Sequence, residues 1–250
     1  MITFQHISKS FKGKVVLDDV SGHFDQGKIN LVIGGSGTGK SVLIKCIVGL
    51  ISPDQGRVDF DGRDMLGGDR NTVVSIRREI GMLFQGSALF DSKTVEENVR
   101  FPLDMLTSMS KVEKLDRVNL CLERVGLANM NKKLSMELSG GMQKRVGIAR
   151  AIVNNPKYLF CDEPNSGLDP KTALLIDDLI KELTYETNIT TVVVTHNMDS
   201  VVTMGDYIIF LDQGKKAWEG NSEDIFHTGV QALEDFLFAS KLMKLVKEKH

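Results

Sequence analysis

The sequence predicts an α/β protein with a β-rich opening, a helical insert and a parallel α/β core. Three observations predict it. A glycine-rich loop from Gly34 to Ser41 follows the apolar strand Ile29 to Ile33 and precedes a helical run, Val42 to Leu50. Between about residues 91 and 155, charged and apolar residues alternate at helical spacing. After Pro156 the chain reads strand, helix, strand, the order of a parallel sheet.

In the opening, Ile2-Thr3-Phe4, Val15-Val16-Leu17 and Lys28 to Ile33 read as short strands, and Arg57-Val58-Asp59-Phe60 reads as a strand turning at Asp61-Gly62. In the insert, Val112, Leu115, Val118, Leu122 and Val125 mark a helix that stops at Gly126. Strand Lys157 to Cys161, a helix from about Lys171 to Tyr185, strand Thr190 to Thr195 and strand Tyr207 to Leu211 complete the core. Near the end, Leu233, Phe236, Leu237, Leu242, Leu245 and Val246 stand among lysines as one face of an amphipathic helix. Self-packing is its default role; a partner-binding tail is the alternative.

At 250 residues the chain can bury one large core or two closely packed lobes. Hydrophobic residues at 42% and charged ones at 26% indicate a globular protein, and a net charge of −2 offers no basic footprint for nucleic acid. Cys46, Cys121 and Cys161 are odd in number, far apart and set in apolar segments, which predicts buried thiols in a reducing compartment. Met1 to His6 lacks the regions of a signal peptide, and no stretch approaches the roughly 18–20 apolar residues needed to span a bilayer. Work at a membrane would then require recruitment. Repeats and low-complexity segments are absent, which argues against a solenoid and against two tandem motors.

The most specific motif is Gly34-Gly35-Ser36-Gly37-Thr38-Gly39-Lys40-Ser41. Placed between a strand and a helix, it is a complete phosphate-binding loop rather than a chance glycine-rich turn. Glycines let successive N–H groups face phosphate oxygens, Lys40 reaches the β and γ phosphates, and the Ser41 hydroxyl suits Mg²⁺. The second motif is Tyr158-Leu159-Phe160-Cys161-Asp162-Glu163, an apolar strand whose carboxylates emerge at the carboxyl edge of the sheet, where nucleotides bind. There Asp162 would hold the metal through water, and Glu163 would polarise the attacking water. The third is Leu138-Ser139-Gly140-Gly141-Met142, which opens a helix with Ser139 as N-cap and two glycines leaving the first N–H groups uncovered. This is a second anion site. A nucleotide has one γ phosphate, already gripped by Lys40, so the helix is expected to grip the nucleotide of a second subunit.

With these motifs in this order, the chain resembles the ABC transporter ATPases over nearly its whole length. The resemblance implies a P-loop NTPase (RecA-like) core with an antiparallel β subdomain over residues 1–90 and 156–228, a helical signature subdomain over 91–155, and a C-terminal helical extension over 229–250. It implies ATP and Mg²⁺ as ligands, a homodimer of ATPases, and an integral-membrane permease that holds the pair at the cytoplasmic face of the inner membrane. Gln85, in Leu83-Phe84-Gln85, resembles the lid glutamine that senses the metal and contacts the membrane partner. Ser166-Gly167-Leu168-Asp169 resembles the loop crossing the dimer interface, and His196 the switch histidine at the γ phosphate. Phe11 resembles the aromatic that stacks on adenine, with core packing as its alternative. Met142, where the family has glutamine, and Asn165, where threonine is commoner, depart from the pattern without removing a phosphate-contacting group.

A narrower resemblance rests on Leu83 to Ser92, Thr94 to Val99 and Phe101-Pro102-Leu103, with Met142, Lys40 to Ile44 and the C-terminal extension in support. These are similar to the ATPases of Mla-type transporters, which implies phospholipid cargo and an MCE-domain lipid-binding partner. The segment after Gln85 would form the groove for a permease helix, unless Leu89, Phe90 and Phe101 simply pack the helical lobe. Three other readings stand beside this one. They are an ABC motor for a lipoprotein or small solute, a soluble ABC ATPase without a transporter, and an inert regulatory module, which Lys40, Asp162, Glu163 and His196 together argue against.

Overall fold

The computed structural model describes residues 1–238. Two sheets organise it. Strands β1 (Ile2–Phe11), β2 (Lys14–Phe24), β4 (Gln55–Phe60) and β5 (Arg63–Asp64) pair antiparallel in the order β2-β1-β4-β5. The second sheet runs β10-β9-β3-β8-β7-β6, built from β3 (Ile29–Ile33), β6 (Ile80–Leu83), β7 (Tyr158–Asp162), β8 (Thr190–Thr195), β9 (Tyr207–Asp212) and β10 (Lys215–Gly220). All its neighbours pair parallel except β10 on β9. Strands β3, β7 and β8 are buried along their whole length, which is why they read as mainly apolar runs without period-two alternation.

Strands β1 and β2 are about three times longer than the short strands expected from the sequence. The register slips between Phe4 and Ile7, between Ile7 and Lys9, and between Lys9 and Ser10, and His6 and Asp19 take positive φ there. These bulges interrupt the two-residue alternation on which the sequence reading depended.

Helix α1 (Lys40–Ile47) follows the glycine loop, and α2 (Arg70–Arg78) starts at Asp69, whose carboxylate accepts from the N–H groups of Asn71 and Thr72. The insert is helical as expected. Thr94 with Glu97 forms a capping box for α3 (Val95–Leu106), and Ser110 with Glu113 forms one for α4 (Lys111–Arg124). On α4, Val118 and Leu122 are buried, while Val112 is 69% exposed and contributes nothing to the core. Helix α5 (Gly140–Ile152) packs on α3, α4 and β6. Helix α6 (Pro170–Thr187) begins with Asp169 as cap and Pro170 in its first turn, and ends at Asn188 in the left-handed region. Helix α7 (Met198–Met204) starts at the cap Asn197.

The three cysteines are buried and free. Helix α8 (Gln231–Leu237) packs on the chain itself: Leu233 and Leu237 are buried, and the Phe236 ring lies 5.5 Å from that of Phe210. Leu242, Leu245 and Val246 lie outside the described residues. Among the described residues, no helix is long and apolar enough to cross a membrane.

Candidate functional site

Four adjacent parallel strands, β3, β8, β7 and β6, end at one edge, and each delivers an expected residue there. The register pairs Ile33 with Thr195, Val194 with Asp162, and Cys161 with Leu83. Going past these ends, the glycine loop follows β3, His196 follows β8, Glu163 follows β7 and Gln85 follows β6. A cavity of about 750 Å³ opens there, lined by Gly35, Ser36, Gly37, Gly39, Lys40, Ser41, Gln85, Glu163 and His196. Residues separated by more than 150 positions in sequence thus converge through strand order alone.

Within the loop, Gly34 and Gly39 have φ of 146° and 104°. A Cβ at Gly34 would sit 2.3 Å from the Leu211 carbonyl oxygen, and one at Gly39 would sit 2.8 Å from the Val16 carbonyl oxygen, so both positions require glycine. Thr38 Oγ1 donates to the Gly35 carbonyl at 3.0 Å and tightens the turn. Lys40, 8% exposed, curls over the loop and donates to the Gly34 and Gly35 carbonyls at 2.9 and 2.8 Å. Burial lowers its pKa, while the carboxylates of Glu163 and Asp162 oppose that shift.

Ser41 Oγ donates to Asp162 Oδ1 at 2.8 Å. A hydroxyl and a carboxylate touching beside a phosphate loop form a hard oxygen donor set that fits Mg²⁺. Among the described residues, no group of three or more His, Cys, Asp or Glu forms a metal cage. Glu163 is buried and held at φ 51°, an uncommon conformation for a non-glycine residue. Its N–H donates to the Val194 carbonyl at 2.9 Å, and its carboxylate lies 2.8 Å from His196 Nδ1. The two side chains proposed for the chemistry are therefore already in contact.

Phe11 stands apart from the cavity wall. It is 43% exposed at the end of β1, with Lys9 Nζ 5.4 Å from its ring centroid, so core packing is excluded. From this hairpin, Val16 lines the cavity. Phe236 and Leu237 of α8 line it too, as does Met198, and none of the four carried a sequence signal for that placement.

Ser139, Gly140 and Gly141 lie elsewhere. Ser139 caps α5, its Oγ accepting from the Met142 N–H at 3.3 Å. With Met142, Gly167, Leu168 and Asp169, these residues line a second cavity of about 530 Å³ that shares no residue with the first. Gly141 has a packing reason of its own, since a Cβ there would sit 2.6 Å from the Thr172 methyl on α6.

Asn165 departs from the family pattern, and the structure ties it into a buried network. Its Nδ2 donates to Asp177 Oδ1 at 2.7 Å and to Ser200 Oγ at 3.0 Å, and Ser200 Oγ donates to Asp177 Oδ2 at 2.7 Å. Burial raises the Asp177 pKa against the pull of those two donors. Asn165 opens the loop after Glu163, Asp177 sits on α6 and Ser200 on α7, so the network joins that loop to the helix following His196. Asp177→Ala would remove the acceptor of one Asn165 amide hydrogen and of the buried Ser200 hydroxyl. At about 1–3 kcal/mol for each unsatisfied group, the expected loss is about 2–6 kcal/mol. Thermal unfolding should show Tm lower by roughly 4–24 °C for a chain of this size; an unchanged Tm would refute the network's contribution.

A family model described as ABC transporter matches residues 17–166. The methionine import ATP-binding protein MetN of Caulobacter vibrioides is 44% identical over 228 residues, covering 90% of this chain and 68% of that protein. MetN 1 of Pseudomonas savastanoi pv. phaseolicola is 39% identical over 230 residues, covering 90% of this chain and 69% of that protein. Among solved structures, the dimeric structure of MJ0796, a bacterial ABC transporter cassette, is 34% identical with a TM-score of 0.81 and covers 89% of this chain and 99% of that one. A post-hydrolysis state of the same cassette, bound to ADP and Pi, is also similar, at 33% identity and a TM-score of 0.81. The phosphate loop, the acidic strand end and the signature helix thus have the fold and the relatives that their chemistry demands, and the chain belongs to the ABC transporter family as an ATP-binding, Mg²⁺-dependent ATPase subunit.

Proposed function

We propose that two copies of this chain enclose two ATP molecules and drive a membrane permease by closing on ATP and opening after hydrolysis. The carrying observation is the separation of the two cavities: Lys40 and Glu163 line one, Ser139 and Gly141 the other, with no residue in common. In a head-to-tail pair, the signature helix N-terminus of each chain would cover the phosphates held by its partner. The dimeric MJ0796 cassette supports this reading.

In each site, the loop N–H groups and Lys40 bind the phosphates, and Phe11 stacks on the adenine. Mg²⁺, held by Ser41 directly and by Asp162 and Gln85 around it, would neutralise β and γ phosphate charge. Glu163 accepts the proton of the attacking water, and His196, hydrogen-bonded to that carboxylate, orients it and contacts the γ phosphate. Contacts to the γ phosphate favour the closed pair, and their loss after cleavage releases it.

The permease would dock on the groove beside Gln85. Phe84, Ala88, Phe90, Phe101, Pro102 and Leu106 line a cavity of about 280 Å³, and the Phe90 and Phe101 rings, 5.0 Å apart, remain over a third exposed. Leu89, by contrast, packs against the core. This recruitment would hold the chain peripherally at the cytoplasmic face of the inner membrane.

For cargo, the relatives named for methionine import support a small solute of that class. The phospholipid cargo and MCE-domain partner expected from the sequence give way to that reading and stand as the second one, supported by the string from Leu83 to Leu103. The test is to trap Glu163→Gln with ATP in native membranes, purify the complex gently, and identify co-purifying proteins and lipids by mass spectrometry. A co-purifying permease whose complex with the wild-type chain hydrolyses ATP faster when methionine is added supports the first reading. An MCE-domain protein with bound phospholipid replaces it with the second, and absence of any membrane protein overturns both.

A further inference from the structure

Helix α5 does more than present the signature at its N-terminus. Lys144, on its second turn, is 5% exposed, and its ammonium donates to two main-chain carbonyls, those of Gln85 and of Glu163, the latter at 3.1 Å. These residues occupy equivalent places on adjacent strands, each two positions beyond the paired Leu83 and Cys161. Both side chains line the nucleotide cavity. The same face of α5 continues at three-residue spacing. At Gly147 an added Cβ would lie 2.6 Å from Leu83 Cδ1, and Arg150 donates to the Ala88 carbonyl at 2.7 Å and to the Ser87 carbonyl at 2.5 Å. Ser87 and Ala88 both hold positive φ, at 60° and 46°. The helix therefore clamps the loop after β6 and, through Lys144 alone, also grips the peptide of Glu163, which is itself held at φ 51°.

We propose that Lys144 is a positioning residue for ATP hydrolysis, tying the signature helix to the backbone of Gln85 and Glu163 so that movement of the helix aligns or misaligns the hydrolytic carboxylate. A buried ammonium is costly, and a neutral residue could pack this helix equally well, so a purely structural position gives no reason for the charge. Burial does lower the Lys144 pKa, against the pull of neighbouring acidic groups that include Glu163 and Asp162. Neither carboxylate is its hydrogen-bond acceptor; the bonds go to main chain, which fixes where the Glu163 side chain starts.

The test is steady-state ATP hydrolysis by the full chain carrying Lys144→Met, which keeps the length of the side chain and removes the donor. The expected result is kcat lower by about 10-fold or more, on the scale of small misplacements of a catalytic group. KM for ATP and the affinity for a fluorescent ATP analogue should stay near wild type, and Lys144→Arg, which can still donate to both carbonyls, should recover part of kcat. A wild-type kcat in Lys144→Met overturns the proposal, as does a kcat loss matched by loss of ATP-binding-competent protein. If the Met variant does not fold, Lys144→Gln, whose shorter side chain cannot span both carbonyls, carries the test, and a wild-type kcat in Lys144→Gln overturns it. The inference rests on Glu163 as the hydrolytic carboxylate, so Glu163→Gln is assayed alongside. Fast Glu163→Gln removes that assignment, whereas slow Glu163→Gln with fast Lys144→Met removes the role of Lys144 alone.

Discussion

Glu163→Gln is expected to cut ATP turnover by about 10² or more, the scale for a positioned general base, with ATP affinity preserved. The amide keeps the size of the carboxylate and can still meet His196, now 2.8 Å away, but it cannot accept a proton from water. Binding survives because the glycine loop, Lys40 and Ser41 grip the nucleotide independently of Glu163. Single-turnover hydrolysis and equilibrium binding of ATP together check both halves of the expectation. Turnover at the wild-type rate would place the base elsewhere.

Lys40→Ala should produce the converse result, with ATP binding itself weakened. A charge-assisted hydrogen bond is worth about 1.5–3 kcal/mol, so affinity should weaken by roughly 10- to 100-fold. The same change leaves the Gly34 and Gly35 carbonyls without the donor that now draws them inward, so the loop also loses its internal brace. Titration of a fluorescent ATP analogue measures the effect. Unaltered affinity would remove Lys40 from the phosphate site.

The residues proposed to face phosphate stood out in the sequence because that chemistry demands local patterns. Glycines must precede Lys40, an apolar strand must deliver Asp162 and Glu163, and Ser139 must cap a helix. Fully buried parallel strands were legible for a similar reason, β8 being read from Thr190 to Thr195 as it occurs. Helix α2 was missed because Ile76 is its one fully buried residue, leaving no apolar period to read. Strand β10 was missed because it alternates exposed and half-buried positions at the sheet edge.

Lys144 and Asp177 were illegible for a different reason. Lysine and aspartate on helices read as solvated, and their partners, the Gln85 and Glu163 carbonyls for one, Asn165 and Ser200 for the other, come together only when the strands stack in order. Asn165 showed in the sequence as a departure, but the buried network it serves is a property of the fold.

The most direct measurement is the mass of Glu163→Gln in solution by light scattering, with and without ATP and Mg²⁺. A monomer without nucleotide that becomes a dimer holding two ATP is the expected result, since each chain carries half of two sites. A Glu163→Gln chain that binds ATP with Mg²⁺ and stays monomeric, with wild-type hydrolysis likewise independent of chain concentration, would contradict it, because one chain alone would then complete the site.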